Sequence, residues 1–413
     1  MSSWSYLIAA ILILPYILDL IVEMLDLKSA SSSLPPEVSD VYDSEEYKKS
    51  LSYHRENTRF GLIVGTLGLA IMLIAIYSGA FATLDSLSRK LSPHSGEISQ
   101  GLVFIGLFSI ISYFISLPVK LYGTFVIEEK YGFNRTTAKT FILDQLKAFA
   151  LGIIIGCPLL ALLIGIFDWA ADNTLSWLYA WALFALFQGV MLFLSPLLMG
   201  LFYKFEALEE GELKNKIEGY AQKQQFSLAG LYKMDGSRRS TKSNAFFAGF
   251  GKLKKIVLFD TLIEKSTDDE LLLILAHEMG HYKLKHILRQ MIFSLMSMAL
   301  VFFLLQSLLK HEELFAVFGM EPSIYASLLL ISSIVLSPLM VLMGVISNYF
   351  SRRFEYQADA YAANTTGKGQ VMIDALKKLS RDNLSNLNPH PFKTFLEYSH
   401  PTVVQRIRAL KAL

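Results

Sequence analysis

Two histidines flank a short helical motif in the sequence His277-Glu278-Met279-Gly280-His281. Residues four apart lie on one face of an α-helix, about one turn apart, so both imidazoles can reach a single metal ion. The glutamate beside the first histidine can accept a proton from a water molecule that such an ion polarises. The motif therefore predicts a hydrolytic site with one Zn2+ per chain, ligands His277 and His281, and Glu278 as catalytic base. The alternative interpretation is a pair of helix-surface histidines at a membrane interface.

A catalytic zinc site usually has three protein ligands and one open position, so a third ligand is required. The chain contains one cysteine, Cys157, which excludes a thiolate cluster and leaves histidine and carboxylate ligands. We assign Glu355 as the third ligand because it follows the last apolar run, at the same predicted height as the two histidines. Asp359 lies one helical turn further on the same face and can accept the ring N–H of a zinc-bound histidine. Without the histidine motif, two solvated carboxylates beside arginines would be the better interpretation.

Two residues near the C-terminus could donate hydrogen bonds to the oxyanion that forms when a peptide bond is attacked. They are His400, in the sequence Ser399-His400-Pro401, and Arg406. The pattern alone fits equally a histidine in a turn and an arginine on the surface.

His286 follows the zinc motif in sequence, but a continuous helix would turn it away from the ligand face, so we expect it at the membrane interface.

The composition places this chemistry in a membrane. Of the 413 residues, 53% are hydrophobic and 18% are charged, against about 25% charged residues in soluble domains. A net charge of +2 gives no sign of nucleic-acid binding. Runs of about 20 residues without charge are long enough to cross a bilayer as helices. Seven such runs of 18 residues or more are present, at 1–18, 60–84, 98–119, 148–167, 173–203, 290–309 and 322–351.

The loops between these runs alternate in their content of Lys and Arg. Loops 26–59 and 120–147 each contain five, whereas loop 168–172 contains none and loop 310–321 contains one. The positive-inside rule then predicts that the N-terminus is outside and the C-terminus is cytoplasmic. All candidate site residues lie on the cytoplasmic side in this topology.

We therefore predict an all-α polytopic membrane protein with seven transmembrane helices and a small cytoplasmic α+β zinc-protease cap. Its segments are 1–203 with the first five transmembrane helices and loops 26–59 and 120–147, 204–289 with the zinc motif, 290–351 with helices six and seven, and 352–413 with the third ligand. Within the cap, the pattern predicts a helix over 206–224 and short antiparallel strands over 231–235, 244–251 and 255–260. The sequence Thr267-Asp268-Asp269-Glu270 predicts a capping box at the start of the zinc-binding helix.

Together these features resemble the integral-membrane CAAX prenyl endopeptidases, zinc enzymes related to gluzincins. The resemblance covers the whole chain and is carried by the seven spans, Glu128-Glu-Lys-Tyr-Gly-Phe-Asn134, Ser243-Asn244-Ala-Phe-Phe, the zinc motif, Glu355-Tyr-Gln-Ala-Asp359, and Ser399-His400-Pro401 with Arg406. It implies seven helices that enclose a large water-filled chamber, with the cytoplasmic segments as its cap. It also implies that Asn244, with Ala245 and Phe246, binds the substrate backbone, and that His400 and Arg406 support the transition state.

The expected function is zinc-dependent cleavage near the C-terminus of CAAX-type peptide or protein substrates, isoprenylated or not, at the cytoplasmic face of the lipid bilayer. No nucleic-acid partner is expected. The compact loops favour a bacterial inner membrane over the endoplasmic reticulum. One alternative is a heat-shock-type zinc protease for membrane-protein quality control, although such proteins have fewer spans. Another is a seven-helix transporter or receptor with a non-catalytic metal site, but the sequence shows neither the internal repeats nor the mid-span charges common in transporters.

Overall fold

The structure is a computed structural model that describes residues 2–30, 33–93, 96–170, 173–249 and 255–413. Its helices and strands are α1 Ser3–Ser29, α2 Ser44–Tyr77, α3 Ala80–Leu91, α4 Glu97–Tyr122, α5 Ala138–Leu151, α6 Cys157–Trp169, α7 Ser176–Met199, β1 Phe205–Ala207, α8 Glu212–Lys223, β2 Gly230–Met234, β3 Ala245–Ala248, β4 Lys255–Phe259, α9 Asp260–Lys265, α10 Asp268–Lys283, α11 His286–Leu308, α12 Glu312–Ala316, α13 Ile324–Ala326, α14 Ser337–Thr366, α15 Gly369–Asp382, α16 Pro391–Glu397 and α17 Val403–Lys411. The π-helical segment Gly123–Glu128 extends α4, Gly152–Gly156 joins α5 to α6, and Ser327–Val335 extends α13.

Six helical stretches of the described chain are long and apolar enough to cross a membrane without a break. The seventh consists of Ile324–Val335 and α14, which meet at an angle of 59°. The bend falls where α14 begins, with Pro338 in its first turn, and proline interrupts the helix there because it cannot donate a backbone hydrogen bond. The described chain thus has six unbroken spans, or seven when the bent pair is counted as one, in agreement with the predicted fold class, and α14 continues out of the apolar region to Thr366.

The seven spans form a closed ring. Each packs against the spans before and after it in the chain, and the seventh also packs against α1 and, through α13, against α4 and α6. In the most apolar window of each of the six unbroken spans, between 0% and 17% of the residues are buried within the protein. Helices in a solid bundle would bury an apolar stripe against a common core. The low burial therefore shows that most side chains in these windows do not face a packed core, whereas apolar side chains such as Phe104, Ile164 and Tyr325 are buried together in a common cluster.

The cap contains a mixed sheet with the strand order β1-β2-β4-β3. Strand β4 is an inner strand of this sheet. Its residues Ile256, Val257 and Leu258 are all buried, which is typical of a strand covered on both faces. It pairs antiparallel with β3 and parallel with β2. The prediction that all strands are antiparallel is wrong at the β2–β4 pair, because β4 inserts between two strands that precede it in the chain.

Two further differences concern the ends of predicted elements. The predicted helix over 206–224 begins at Glu212 as α8, because residues 205–207 pair with β2 as strand β1. Residues 250 and 251 of the predicted strand 244–251 lie outside the described residues. The predicted capping box is confirmed: the Thr267 hydroxyl accepts the Glu270 N–H, and the Glu270 carboxylate accepts the Thr267 N–H.

The core of the cap surrounds α10. Its residues Leu271, Leu273, Leu275 and Met279 are at most 1% exposed and pack with apolar side chains of the sheet, α8, α15 and α17. Burial on this scale fixes the rotation of the helix about its axis, because exposing any one of these apolar side chains to water would cost roughly 1.5–3 kcal/mol of folding free energy. The orientation of the two motif histidines is set in this way.

Candidate metal centre

Helices α10 and α14 are in close contact at two small residues, Gly280 and Ala358. A Cβ atom on Gly280 would lie 3.1 Å from the Ala358 Cα atom and 3.2 Å from the ring of Tyr361. Since both distances are shorter than ordinary van der Waals contact, a larger residue would push the helices apart. The glycine of the zinc motif thus lets the histidine face of α10 meet the carboxylate face of α14.

Three side chains converge where these faces meet. The Nε2 atoms of His277 and His281 are 3.1 Å apart. The Glu355 carboxylate oxygens lie 3.4 Å from the first and 3.2 Å from the second. Atoms bound at about 2.0–2.1 Å to one tetrahedral ion would be about 3.3 Å apart. The residues therefore fit a single zinc ion with the three predicted ligands.

Two observations on charge agree with a cation site. Glu355 is 4% exposed, and its buried Oε2 atom accepts no hydrogen bond within the described residues. A buried carboxylate oxygen without a donor is costly unless a cation occupies the space beside it. Burial lowers the pKa of His277, but the hydrogen bond to Asp359 and the adjacent Glu355 carboxylate raise it by more, to about 9 overall. The pocket therefore favours positive charge.

Asp359 contacts the ring nitrogen of His277 that does not face His281 and Glu355. Its Oδ1 atom lies 2.8 Å from His277 Nδ1, so this nitrogen carries the proton and Nε2 is left free to bind a metal. Arg406 holds the same carboxylate in a bidentate pair at 2.7 and 2.6 Å. Burial lowers the pKa of Arg406, but the charge and hydrogen bonds of Asp359 raise it overall, so the guanidinium stays protonated.

The remaining predicted polar residues surround the open side. The Arg406 Nη1 atom is 3.6 Å from Glu355 Oε2. His400 Nε2 is 3.4 Å from Glu355 Oε1, its side chain is 63% exposed, and its Nδ1 lies 2.9 Å from the Ser399 hydroxyl.

Burial raises the pKa of Glu278, and the two histidines lower it by less. A carboxylate with a raised pKa is a better acceptor for a proton from water.

The predicted substrate-binding residues lie beside this centre on an edge of the sheet. Asn244 directly precedes β3, is exposed, and uses its side-chain oxygen to accept the Ala245 N–H at 2.9 Å. Ala245 and Phe246 belong to β3, which pairs with β4 on one side and packs against α10. The structure therefore places this segment next to the metal-binding helix, without a direct contact to the three ligand atoms among the described residues.

His286 was not anticipated as part of the centre. Helix α10 ends at Lys283, Lys285 has a left-handed φ of 59°, and α11 starts at His286. This break turns the side chain inward: it is 1% exposed, and its Nδ1 lies 3.1 Å from His281 Nδ1. The expectation of an interfacial His286 is wrong, because it assumed that the helix continues.

The other ring nitrogen of His286 lies 2.9 Å from the Gln357 side-chain oxygen. The ring also stacks on Phe354, with centroids 4.2 Å apart and planes 11° apart. If His281 binds a metal through Nε2, its Nδ1–H donates to His286, and the Nε2–H of His286 donates to Gln357. The only signal in the sequence was the presence of a third histidine near the motif, without a glycine or proline to mark the break.

Comparison with known proteins places this geometry in a family. Residues 207–413 match peptidase family M48, and residues 23–204 match the CAAX prenyl protease N-terminal region of five membrane helices. The chain belongs to peptidase family M48. M48 peptidases are zinc metalloproteases, so the chain is a multi-pass membrane metalloendopeptidase. The family assignment excludes the transporter or receptor alternative.

Similarity to individual proteins extends over nearly the whole chain. The probable CAAX prenyl protease 1 of Schizosaccharomyces pombe is 36% identical over 98% of this chain and 88% of the relative. The Homo sapiens CAAX prenyl protease 1 homolog is 35% identical over 93% and 90%. The crystal structure of S. mikatae Ste24p matches with a TM-score of 0.94 and 33% identity, over 99% of both chains. The predicted family and fold class are confirmed.

Proposed function

We propose that this protein is a zinc endopeptidase that hydrolyses peptide bonds near the C-terminus of CAAX-type substrates at the cytoplasmic face of the membrane. The convergence of His277, His281 and Glu355 at tetrahedral spacing carries this proposal. The names of the S. pombe and human relatives, which match over most of their lengths, support the substrate class. The heat-shock alternative is less favoured because the seven-helix ring matches Ste24p from end to end.

We assign the three converging residues as zinc ligands. When bound there, zinc would lower the pKa of a water molecule and polarise the peptide carbonyl. Asp359 fixes the tautomer and orientation of His277, and Arg406 fixes Asp359. His286 supports His281 in the same way. Such outer hydrogen bonds keep metal ligands oriented.

The protein's own groups then move protons and stabilise charge. Glu278 accepts a proton from the attacking water and delivers it to the amine nitrogen as the peptide C–N bond breaks. His400 and the Nη1 group of Arg406 donate hydrogen bonds to the oxygen on which negative charge develops. Together these steps convert one peptide and one water molecule into a carboxylic acid and an amine.

The substrate peptide would bind as an additional strand at the free edge of β3. Backbone groups of Ala245 and Phe246 and the side chain of Asn244 would fix its register, since edge strands offer unpaired N–H and C=O groups. An attached isoprenyl chain would be accommodated by the apolar ring of spans. The proposed partners are therefore the lipid bilayer and a peptide or protein substrate, isoprenylated in the preferred case.

The proposed orientation puts the N-terminus outside and the cap in the cytoplasm. The compact loops favour a bacterial inner membrane, whereas the yeast and human relatives favour the endoplasmic reticulum. In both membranes the cap faces the compartment in which prenylated proteins or other cytoplasmic substrates would be met.

A cleavage assay with matched peptides tests this function. Zinc-quantified protein in detergent is given two peptides that end in the same four-residue CAAX box, one with and one without an isoprenyl group. We expect cleavage of both, a higher kcat/KM for the prenylated peptide, loss of activity with a chelator, and recovery with zinc. Equal kcat/KM values would contradict prenyl recognition, and cleavage of unfolded membrane proteins alone would favour the quality-control alternative.

A further inference from the structure

One face of α14 carries four polar side chains, at spacings of four, three and four residues. They are Asn348, Arg352, Glu355 and Asp359. Positions with this spacing lie on one side of a helix, here over about 16 Å. Glu355 and Asp359 belong to the metal centre and contact His400 and Arg406, respectively. Asn348 and Arg352 have no part in the proposed chemistry.

Arg352 binds the end of α16. Its guanidinium donates hydrogen bonds to three backbone carbonyls, those of Thr394 at 2.9 Å, Tyr398 at 2.5 Å and Phe395 at 3.3 Å. Carbonyls in the last turn of a helix have no partner within the helix. A planar guanidinium can serve several of them at once, which an ammonium group cannot do in the same geometry.

Asn348 adds a fourth contact of the same kind. Its side-chain N–H donates to the Leu396 carbonyl at 3.0 Å. The final turn of α16 is therefore attached to α14 by backbone groups, which makes the contact independent of the side chains of α16. The other end of α16 is fixed to α1, where the His390 N–H donates to the Asp26 carboxylate at 2.7 Å.

The consequence falls on His400. Tyr398 precedes it by two residues, and Pro401 and the N-cap of α17 at Thr402 follow at once. With the Tyr398 carbonyl held by Arg352 and Thr402 held by its capping box, only a few backbone dihedrals remain between the fixed points. His400 is otherwise exposed, and its only side-chain hydrogen bond within the described residues is to the neighbouring Ser399.

We propose that Arg352 is a positioning residue for His400: by holding the end of α16 it places the imidazole on the open side of the metal centre. This inference rests on the proposed function, in which His400 donates to the developing oxyanion. Helix α14 would then supply the third ligand and, through the same face, align the donors of the C-terminal segment with it. A purely structural role for Arg352 is the competing explanation.

A double-mutant cycle separates the two explanations. Full-length Arg352→Gln, His400→Ala and the double variant are compared in steady-state cleavage of one CAAX peptide, with zinc measured in each. Displacing a catalytic group by about 1 Å can cost a hundredfold in rate, so we expect kcat of Arg352→Gln to fall about ten- to a hundredfold, with KM and zinc content unchanged. In the His400→Ala background, Arg352→Gln should cause no further loss. Additive losses, or loss of zinc, would overturn the inference.

Controls keep the test decisive. Arg353→Gln removes an exposed neighbouring arginine that makes no hydrogen bond or ion pair among the described residues, and should leave kcat unchanged. Asn348→Ala is a milder variant that breaks one of the four contacts, and Arg352→Lys should recover part of the rate. Hydrogen exchange of the amides over 398–400 should accelerate in Arg352→Gln but not in Arg353→Gln.

The two hypotheses fail in different ways. Wild-type kcat in His400→Ala would refute the proposed role of His400, and with it the catalytic part of this inference. A slow His400→Ala enzyme together with a wild-type Arg352→Gln enzyme would refute the role of Arg352 alone. Unchanged hydrogen exchange over 398–400 in Arg352→Gln would show that Arg352 does not fix this segment.

Discussion

Glu355 lies at the point where the groups of the candidate site meet. Its carboxylate is within 3.2–3.6 Å of nitrogen atoms of His277, His281, His400 and Arg406. These four residues come from α10, α17 and the loop before it, so a single side chain of α14 connects three parts of the chain. Removing one partner from a buried set of charges leaves the others unpaired, which is more costly than the loss of one hydrogen bond.

Metal binding and proton transfer should be separable by mutation. Glu278→Gln keeps the shape of the side chain and all three proposed ligands, so we expect zinc near one equivalent and loss of turnover. Glu355→Ala removes a proposed ligand and should lose most of its zinc. Elemental analysis of both purified variants, beside a cleavage assay, measures the difference. Zinc content as low in Glu278→Gln as in Glu355→Ala would contradict the assignment of Glu278 as a base.

His286 should influence metal affinity without binding the metal. Loss of an outer hydrogen bond to a ligating histidine typically lowers metal affinity by about 10- to 100-fold, and we expect this for His286→Ala. The measurement is a zinc competition titration with a chromophoric chelator, which needs no activity. His311→Ala, in a predicted outer loop, is the matched control. Unchanged affinity in His286→Ala would show that its contact with His281 does not orient that ligand.

At the scale of elements, the sequence reveals those parts that depend on local pattern. The seven spans follow from uncharged runs, and α10 follows from its capping box and motif. The break after Lys283 and the parallel pairing of β2 with β4 could not be predicted, because both depend on packing between distant segments. The contact between the motif and Glu355 was predicted only from equal predicted height above the membrane, and the roles of the site residues remain predictions.

The crossing of α10 and α14 should depend on the size of residue 280. In Gly280→Ala, the new Cβ would meet the backbone of Ala358 at 3.1 Å, and backbone cannot move aside as a flexible side chain can. Overpacking of this kind typically costs about 1–3 kcal/mol. We expect a lower thermal unfolding midpoint in detergent and weaker zinc binding, because Glu355 moves away from the two histidines.

Gly219→Ala provides the matched control for this substitution. Gly219 lies on an exposed face of α8, and no atom lies within 4 Å of the position that its Cβ would occupy. Alanine is favoured over glycine inside helices by roughly 0.5–1 kcal/mol, so this variant should be slightly more stable and bind zinc normally. A Gly280→Ala protein that behaved like Gly219→Ala would show that the two helices can separate without disturbing the site.

At the scale of the whole molecule, the cap is attached to one end of the ring. Lys242 of the cap lies 2.9 Å from Glu128 at the end of the α4 span, and Arg239 lies 2.8 Å from Asp144 in α5. These partners adjoin or belong to loop 120–147, one of the two loops with five basic residues. The metal centre, the cap and the basic loops are thus on the same side of the ring, as the alternating charge requires.

The side of the membrane on which they lie is a prediction that labelling can test. Cys157 is first replaced by serine, and single cysteines are then introduced as His311→Cys in a predicted outer loop and Asn383→Cys in the cap. The positive-inside rule places basic loops in the cytoplasm. In intact cells of a bacterial host, a membrane-impermeant maleimide should therefore modify the cysteine at 311 and spare that at 383, which should react only after the membrane is opened.

Modification of the cysteine at 383 in sealed cells would reverse the orientation and place the metal centre outside the cytoplasm. A cytoplasmic substrate could then not reach the centre, so the same result would also refute the proposed function.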